Sequence, residues 1–466
     1  MNEPIRPSKG RRWWMAVAAA VAACGVTAGV LLARPRLSVQ AENLLRDVTP
    51  AASAAQPFSE GFRAAAADFS MRLLREQAGG TENRLLSPVS LYLTLSMLAE
   101  GTQGQTREEL DALLGAPEER GAMCAWLLDN WTVKKAGRVT LANSLWIDEG
   151  LEIRPAFLQA NADRYRAAAY RADLQAPQAL KDINAWVDYQ TEGRIPRALD
   201  SLDPAIELCL LSAVLFDMKW EEPYEKKDVR SHVFQAADGA FSTEFLFSAE
   251  TAYLENEWVT GFKRPYQGGR FSFVGLLPRE GIRLEDAARA LTGETWLALL
   301  DGAAGSVQAG IPSFSYADEA DFRPPLNRLG VRAAFFPAED DFAPMGGPGL
   351  FLSDIRQKTC IELNAHGTKA AAFSFAAICK NAGPGGADDR PRGFAGGETE
   401  GDLSPTSACG TKTASCRRMN RGSRTRQPGR MNKCSRMRRS LKTPGKLCMM
   451  KLTKAFWPQA MRTGRT

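Results

Sequence analysis

The sequence predicts an α+β fold, because helical patterns come first along the chain and strand-like apolar runs follow, with no regular alternation between the two. The 466 residues, of which 44% are apolar and 24% charged, are enough for a large buried core. The same composition excludes collagen, coiled coils and wholesale disorder.

The helices are predicted from apolar spacing and from capping residues. Apolar residues recur at helical spacing from Phe58 to Leu74, and Ser87 followed by Pro88 is typical of a helix start. Residues 106–109 have the pattern of a capping box, which predicts a helix that begins there. Residues 181–192 are amphipathic.

The strands are predicted from later apolar runs, at 139–147, 208–216, 271–277, 307–315 and 351–363. The second of these runs is nearly unbroken, which is typical of a strand that is buried on both faces. Together with the earlier helices, these runs favour a large sheet within an α+β domain.

The N-terminus carries an export or anchoring signal. Four basic residues precede the uncharged stretch Trp13–Ala33, which would span about 31 Å as a helix. We predict a signal or membrane anchor over 1–33 and rank lipidation at Cys24 lower, because the apolar run continues past it. Residues 34–57 read as a linker. Because a signal, an anchor or a lipid attachment would each deliver the body outside the cytoplasm, we expect the body to be extracellular or anchored at the cell surface.

The net charge of +6 is divided unevenly along the chain. Residues 401–466 hold 17 of the 59 Lys and Arg and one acid, Asp402, so this tail carries +16. Residues 1–400 hold the remaining 42 basic and 52 acidic residues and carry −10. An acidic body gives no reason to expect nucleic acid as a partner.

The sequence contains no recognisable catalytic or metal-binding motif. G-x-S-x-G, phosphate-binding loops and C-x-x-C pairs are absent, and the two histidines, His232 and His366, lie far apart. Four of the nine cysteines fall in the basic tail, whereas Cys209 and Cys360 lie in apolar runs typical of packed thiols. We therefore expect no enzyme activity, no cofactor and no metal site.

The most informative stretch is 367–386, which alternates with a period of two. One face carries Thr368, Ala370, Ala372, Ser374, Ala376 and Ile378, and the other carries Lys369, Ala371, Phe373, Phe375, Ala377 and Cys379. The first face is small near its start and could slide between existing strands without overpacking. Composition alone would favour an alanine-rich helix instead.

Ordered motifs over roughly 58–391 resemble the serpin family. They lie at 83–90, 101–110, 142–146, 183–187, 210–216 with Trp220, 342–345 and 352–358, and they lead into Gly367, Thr368, Ala370, Ala371 and Ala372, which resemble the serpin hinge. The resemblance implies a serpin-like domain over 58–391. Its helices would pack on a large central mixed sheet, with smaller sheets and an exposed reactive loop.

The resemblance also implies a suicide-substrate inhibitor of serine proteases. A protease cleaves the loop and forms an acyl-enzyme, and the freed loop then inserts as a new strand in the central sheet. Residues 368–380 as a strand would span about 43 Å at ~3.3 Å per residue. Family spacing places the reactive bond at Asn381–Ala382. A loop shorter by one residue would place it at Lys380–Asn381 and favour trypsin-like targets, whereas Ile378–Cys379 would suit an elastase-like enzyme.

Several residues depart from the family. In the region where the sheet opens, Ser87 and Ser90 match the usual hydroxyls, but Ser212 and Gln357 replace the usual Asn and His, which predicts an altered hydrogen-bond network. Ala365 replaces a Glu that usually anchors the top of the loop through a salt bridge. Phe373 replaces a small residue on the outward face, where we expect insertion to tolerate it.

The last segment, 392–466, departs most, because two apolar core strands should follow and none can be recognised. We predict a basic, disordered tail, and we hypothesise that it is an out-of-frame reading of a serpin gene, which the other two reading frames would test. Two other functions stay open: a non-inhibitory or defective serpin-fold protein, and a membrane-tethered protein that binds polyanions through the tail.

Overall fold

A computed structural model describes residues 37–46, 48–51, 59–78, 82–133, 137–236, 239–337 and 340–381. Its helices are α1 (Glu60–Gln77), α2 (Pro88–Ala99), α3 (Gly104–Leu114), α4 (Pro117–Asn130), α5 (Pro155–Tyr165), α6 (Pro177–Gln190), α7 (Leu284–Ala290), α8 (Gly293–Asp301) and α9 (Arg323–Arg328). Its strands are β1 (Glu42–Asn43), β2 (Gly137–Asp148), β3 (Ala168–Ala172), β4 (Ile206–Lys219), β5 (Val229–Ala236), β6 (Gly239–Glu250), β7 (Tyr253–Glu255), β8 (Val259–Pro265), β9 (Ser272–Pro278), β10 (Val307–Pro312), β11 (Phe314–Asp321), β12 (Leu350–Asn364) and β13 (Gly367–Lys380).

The strands form one large sheet and two small ones, which confirms the predicted α+β fold class. The large sheet has seven strands in the order β1-β3-β2-β4-β13-β12-β11. It is mixed, because β2 and β3 pair parallel whereas β4, β13 and β12 pair antiparallel. The small sheets have the orders β10-β6-β5 and β7-β8-β9.

Helices cover both faces of the large sheet. All of α2 is buried, and it packs against β4 and β13 on one face. On the other face α6 buries Ile183, Trp186 and Val187 in a cluster that includes residues of β4 and β13. The central strands therefore lie between two apolar layers, which explains the unbroken apolar run in β4.

Two local predictions need correction. The helix predicted from the capping box at 106–109 is present as α3 and ends at Leu114, but it starts two residues earlier, at Gly104, and the hydroxyl of Thr106 donates to Asp341 Oδ2 over 2.6 Å instead of capping the helix. The run 307–315 is two strands in different sheets, because β10 ends at Pro312 in a small sheet and β11 begins at Phe314 in the large one.

Residues 37–46, which lie within the predicted linker 34–57, pack against the body. β1 extends the large sheet beside β3. The N–H groups of Gln40 and Ala41 donate to Asp182 Oδ2 on α6 over 2.9 and 3.0 Å. Two aliphatic side chains of this segment, Leu37 and Val39, pack on the apolar cluster beneath α6.

Within the described residues, no helix combines the length and apolar character needed to cross a membrane. The predicted anchor at 13–33 lies outside those residues. The predicted tail, 392–466, also lies outside them.

Candidate functional site

The segment that resembles the serpin hinge and loop forms the middle strand of the large sheet. β13 lies between β4 and β12 and pairs antiparallel with both. Gly367 lies opposite Lys219 at one end, and Lys380 lies opposite Leu350 at the other. The strand has 14 residues, as has β4, so it runs along its neighbour for the full length.

Both faces of β13 are covered. Its side chains alternate between the apolar layer beside α2 and the apolar layer beneath α6. All but Lys369 and Lys380 among its residues are buried. The small face packs into the core with α2, and the other face packs beneath α6. Phe373 points away from the main core, as its position in the alternation predicts, but α6 covers that face and leaves the side chain only 1% exposed.

The first two hinge residues fit closely into the sheet. A Cβ atom on Gly367 would lie 2.2 Å from the Met218 carbonyl oxygen, so only glycine allows this approach. Tyr266 donates its hydroxyl to Thr368 Oγ1 over 2.7 Å. Burial raises the pKa of Tyr266, which keeps the hydroxyl protonated as a donor.

The chain just before the hinge is held by two aromatic residues. The Trp220 and Tyr224 N–H groups donate to the carbonyls of His366 and Ala365, each over 3.1 Å. The indole N–H of Trp220 also donates to the Asn364 carbonyl over 2.9 Å. These bonds hold residues 364–366 although Ala365 has no charge to form a salt bridge.

Three of the four residues predicted in the sheet-opening region meet around Gln357 on β12, and two of them, Ser90 and Gln357, reach Ser374 on β13. The Gln357 Nε2 atom lies 3.0 Å from Ser90 Oγ and 2.9 Å from Ser374 Oγ, and the two serine oxygens are 2.8 Å apart. Gln357 Oε1 accepts from the Ser87 N–H over 2.7 Å, and Gln357 Nε2 lies 3.0 Å from the Ser87 carbonyl oxygen. Ser212 faces Ser374 across β4 and β13, but its hydroxyl makes no hydrogen bond to any described residue.

Sequence reasoning did not assign a role to Ser374. It is fully buried and joins β13 to residues of α2 and β12. The available signal was a hydroxyl between alanines in the middle of the small face of 368–378, since a buried hydroxyl needs a partner.

The candidate reactive bond lies at the far end of β13 from the hinge. Lys380 is exposed there, and the N–H of Asn381 donates to the Gly349 carbonyl over 2.9 Å. Ala382 lies outside the described residues. Next to this end, burial raises the pKa of the Cys379 thiol to about 11, so the thiol is protonated at neutral pH.

Comparison with known proteins agrees with this geometry. The family model described as Serpin (serine protease inhibitor) matches residues 64–387. An uncharacterized serpin-like protein of Thermococcus kodakarensis is 28% identical over 323 residues, which are 67% of this chain and 75% of that protein. The leukocyte elastase inhibitor of Equus caballus is 29% identical over 331 residues, 66% of this chain and 87% of that protein.

Solved structures give the same result. The thermophilic serpin tengpin in its latent state is 32% identical, with a TM-score of 0.66 over 69% of this chain and 90% of that one. Its native-state structure is also 32% identical, with a TM-score of 0.67 over 71% and 87%. Because the family match extends over more than half of the 466 residues, the chain belongs to the serpin family.

Proposed function

We propose that this chain inhibits serine proteases as a suicide substrate, through insertion of residues 367–380 into the large sheet. The fit of β13 is the observation that carries the proposal. Small residues face α2, Phe373 and Phe375 fill the space beneath α6, and the two exposed positions are lysines. The description of the matched family and the name of the horse relative agree with this function.

The chemistry belongs to the protease in this proposal. Its serine attacks the carbonyl of the reactive residue, the peptide bond breaks, and the new amine leaves while an acyl-enzyme forms. Insertion then carries the acylated residue to the far end of β13, about 43 Å from the hinge at ~3.3 Å per residue. Burial of two phenylalanines, each worth about 1.5–3 kcal/mol, helps to drive that movement.

Incubation with a panel of trypsin-, elastase- and subtilisin-like proteases tests the proposal. We expect an SDS-stable complex with at least one of them, and none with the same protease whose catalytic serine is replaced by alanine. The mass of the released C-terminal fragment identifies the reactive bond, so it separates Lys380 from Asn381. If every active protease cleaves the chain or ignores it without forming a complex, the inhibitory function is excluded.

A second candidate is a serpin-fold protein that rests in the inserted state and does not inhibit. The observation that favours it is the position of β13. This strand already lies in the large sheet although the peptide bond Lys380–Asn381, one of the candidate reactive bonds, is intact. An inhibitor must first offer this segment as an exposed loop. Urea unfolding of the isolated protein before and after loop cleavage separates the candidates, because an exposed-loop form becomes more resistant on cleavage and an already inserted form does not.

We also propose that the protein is exported and tethered through 1–33. The uncharged stretch Trp13–Ala33 after four basic residues supports this proposal. Membrane fractionation of the full chain and of a variant that lacks residues 1–33 tests it. We expect only the full chain to sediment with membranes, and equal distribution of both would exclude the tether.

A further inference from the structure

Two opposite charges are buried beside the hinge and pair with each other, although Arg264 Nε makes no hydrogen bond to any described residue. The side chains of Arg264 on β8 and Glu250 on β6 are only 7% and 6% exposed and form an ion pair. Arg264 Nη1 donates to Glu250 Oε1, and Arg264 Nη2 donates to the Glu222 carbonyl. Glu250 Oε1 also accepts from Ser248 Oγ over 2.6 Å, and that hydroxyl lies 3.3 Å from Tyr224 OH.

The guanidinium also packs on the aromatic residues that hold the chain before the hinge. Arg264 Cζ lies 4.2 Å from the ring centroid of Tyr224 and 5.6 Å from that of Trp220. Trp220 in turn stacks on Tyr266 with 4.6 Å between centroids and 9° between planes. These three aromatic residues make the hydrogen bonds to 364–366 and to Thr368 described above.

We propose that the Arg264–Glu250 pair positions the start of the inserting strand and supplies the anchor that Ala365 does not. Both charges are held by several partners, as a buried pair must be if it is to be stable, and removal of either would leave the other unpaired. The pair fixes Trp220 and Tyr224, and these fix residues 364–366. Gly367 and Thr368 can then enter between β4 and β12 in register. This inference rests on the proposed inhibitory function.

The variants Glu250→Gln and Arg264→Met of the full chain test the positioning role. Each is assayed with a protease that the natural chain inhibits. We expect the number of inhibitor molecules consumed per protease to rise by about threefold or more, because slower insertion lets the acyl-enzyme hydrolyse first. The rate of protease association should stay within about twofold, since the protease binds the exposed loop before the strand inserts. Arg264→Lys retains the charge without the guanidinium fork and should give an intermediate value.

Glu100→Gln is the matched control, because Glu100 is also a buried carboxylate in an ion pair, with Arg164 on α5, but it lies at the end of α2 and not at the hinge. The positioning role is overturned if the Arg264 and Glu250 variants consume no more inhibitor than the control, or if their association rates fall in parallel. Should single variants fail to fold, Arg264→Met with Glu250→Leu removes both charges at similar volume. That double variant should fold and still show the raised consumption.

A second readout keeps this inference separate from the proposed function. If the natural chain forms no complex with any protease, the inhibitory proposal fails. The rate at which the uncleaved strand enters the sheet can still be measured by refolding the protein from guanidinium. We expect heat resistance to be regained at least about threefold more slowly in Glu250→Gln than in Glu100→Gln. Equal rates would overturn the positioning role.

Discussion

The side-chain amide of Gln357 on β12 contacts the hydroxyl of Ser374 on β13, with 2.9 Å between Nε2 and Oγ. Ser90 on α2 joins the same pair, 2.8 Å from Ser374 Oγ. Because Ser374 belongs to β13, its bonds can form only when that strand is in the sheet. In the proposed mechanism they therefore stabilise the inserted form and not the exposed-loop form.

Ser374→Ala should weaken the inserted form selectively. Loss of a buried hydrogen-bonded hydroxyl should lower its free energy of unfolding by about 1 kcal/mol. Urea unfolding of the loop-cleaved protein measures this change. Ser231→Ala is the control, because its hydroxyl lies 2.7 Å from Ser242 Oγ but on an exposed hairpin. An equal effect of the two substitutions would contradict a special role for Ser374.

Ala372→Glu should convert an inhibitor into a substrate. Ala372 is buried against the core, so a carboxylate there would have to be desolvated without a partner before the strand could insert. We expect the protease to cleave the chain and to form at least about tenfold less SDS-stable complex. Lys369→Glu is the control on the same strand, because Lys369 is exposed, and it should retain the complex. Comparable complex with both variants would argue against insertion along this register.

Phe373→Ala should leave a cavity beneath α6. The side chain is buried with Ile183 and Trp186, so its loss should cost the inserted form about 3–5 kcal/mol. Calorimetry of the loop-cleaved protein measures the difference. Phe336→Ala removes a side chain that is 62% exposed and should change the melting temperature little. If Phe373→Ala lowers the melting temperature no more than Phe336→Ala does, packing beneath α6 does not stabilise β13 in the sheet.

Cys379 should make the inserted form sensitive to alkaline pH. Burial raises its thiol pKa from 9.0 to about 11, so the inserted state retains a proton that the unfolded chain releases. The stabilisation of the inserted form by the protonated thiol is complete below about pH 9. It falls by up to about 2 kcal/mol as the pH rises from about 9 to 11. Unfolding free energies at pH 8 and pH 10.5 measure this loss. Cys379→Ser should lose less over the same interval, and an identical loss would assign the effect to other groups.

Local patterns predicted the central layers well. The unbroken apolar run at 208–216 predicted a strand buried on both faces, and the structure places β4 between α2 and α6. The alternation in 367–380 predicted which side chains share a face, because a strand's period of two is a property of its own backbone. The resemblance to a family then identified where that strand belongs.

Contacts between distant residues could not be predicted in the same way. Thr106 reads as the start of a capping box, but its partner is Asp341, more than 200 residues later. The Arg264–Glu250 pair looks like two ordinary surface charges in sequence, and only the crossing of β6 and β8 beside Trp220 buries them. Burial of charge depends on tertiary packing, and no local pattern encodes it.

In the proposed tether, the docking of residues 37–46 to the body limits the distance between the body and the membrane. A free linker over 34–57 would reach roughly 80 Å at about 3.3–3.6 Å per residue. With Gln40 and Ala41 bound to Asp182 and β1 in the sheet, only 34–36 lie between the proposed anchor and the packed segment, a reach of about 10 Å. A molecule tethered this closely would bind proteases that reach the surface of its own cell. It would not bind proteases that remain in the surrounding medium.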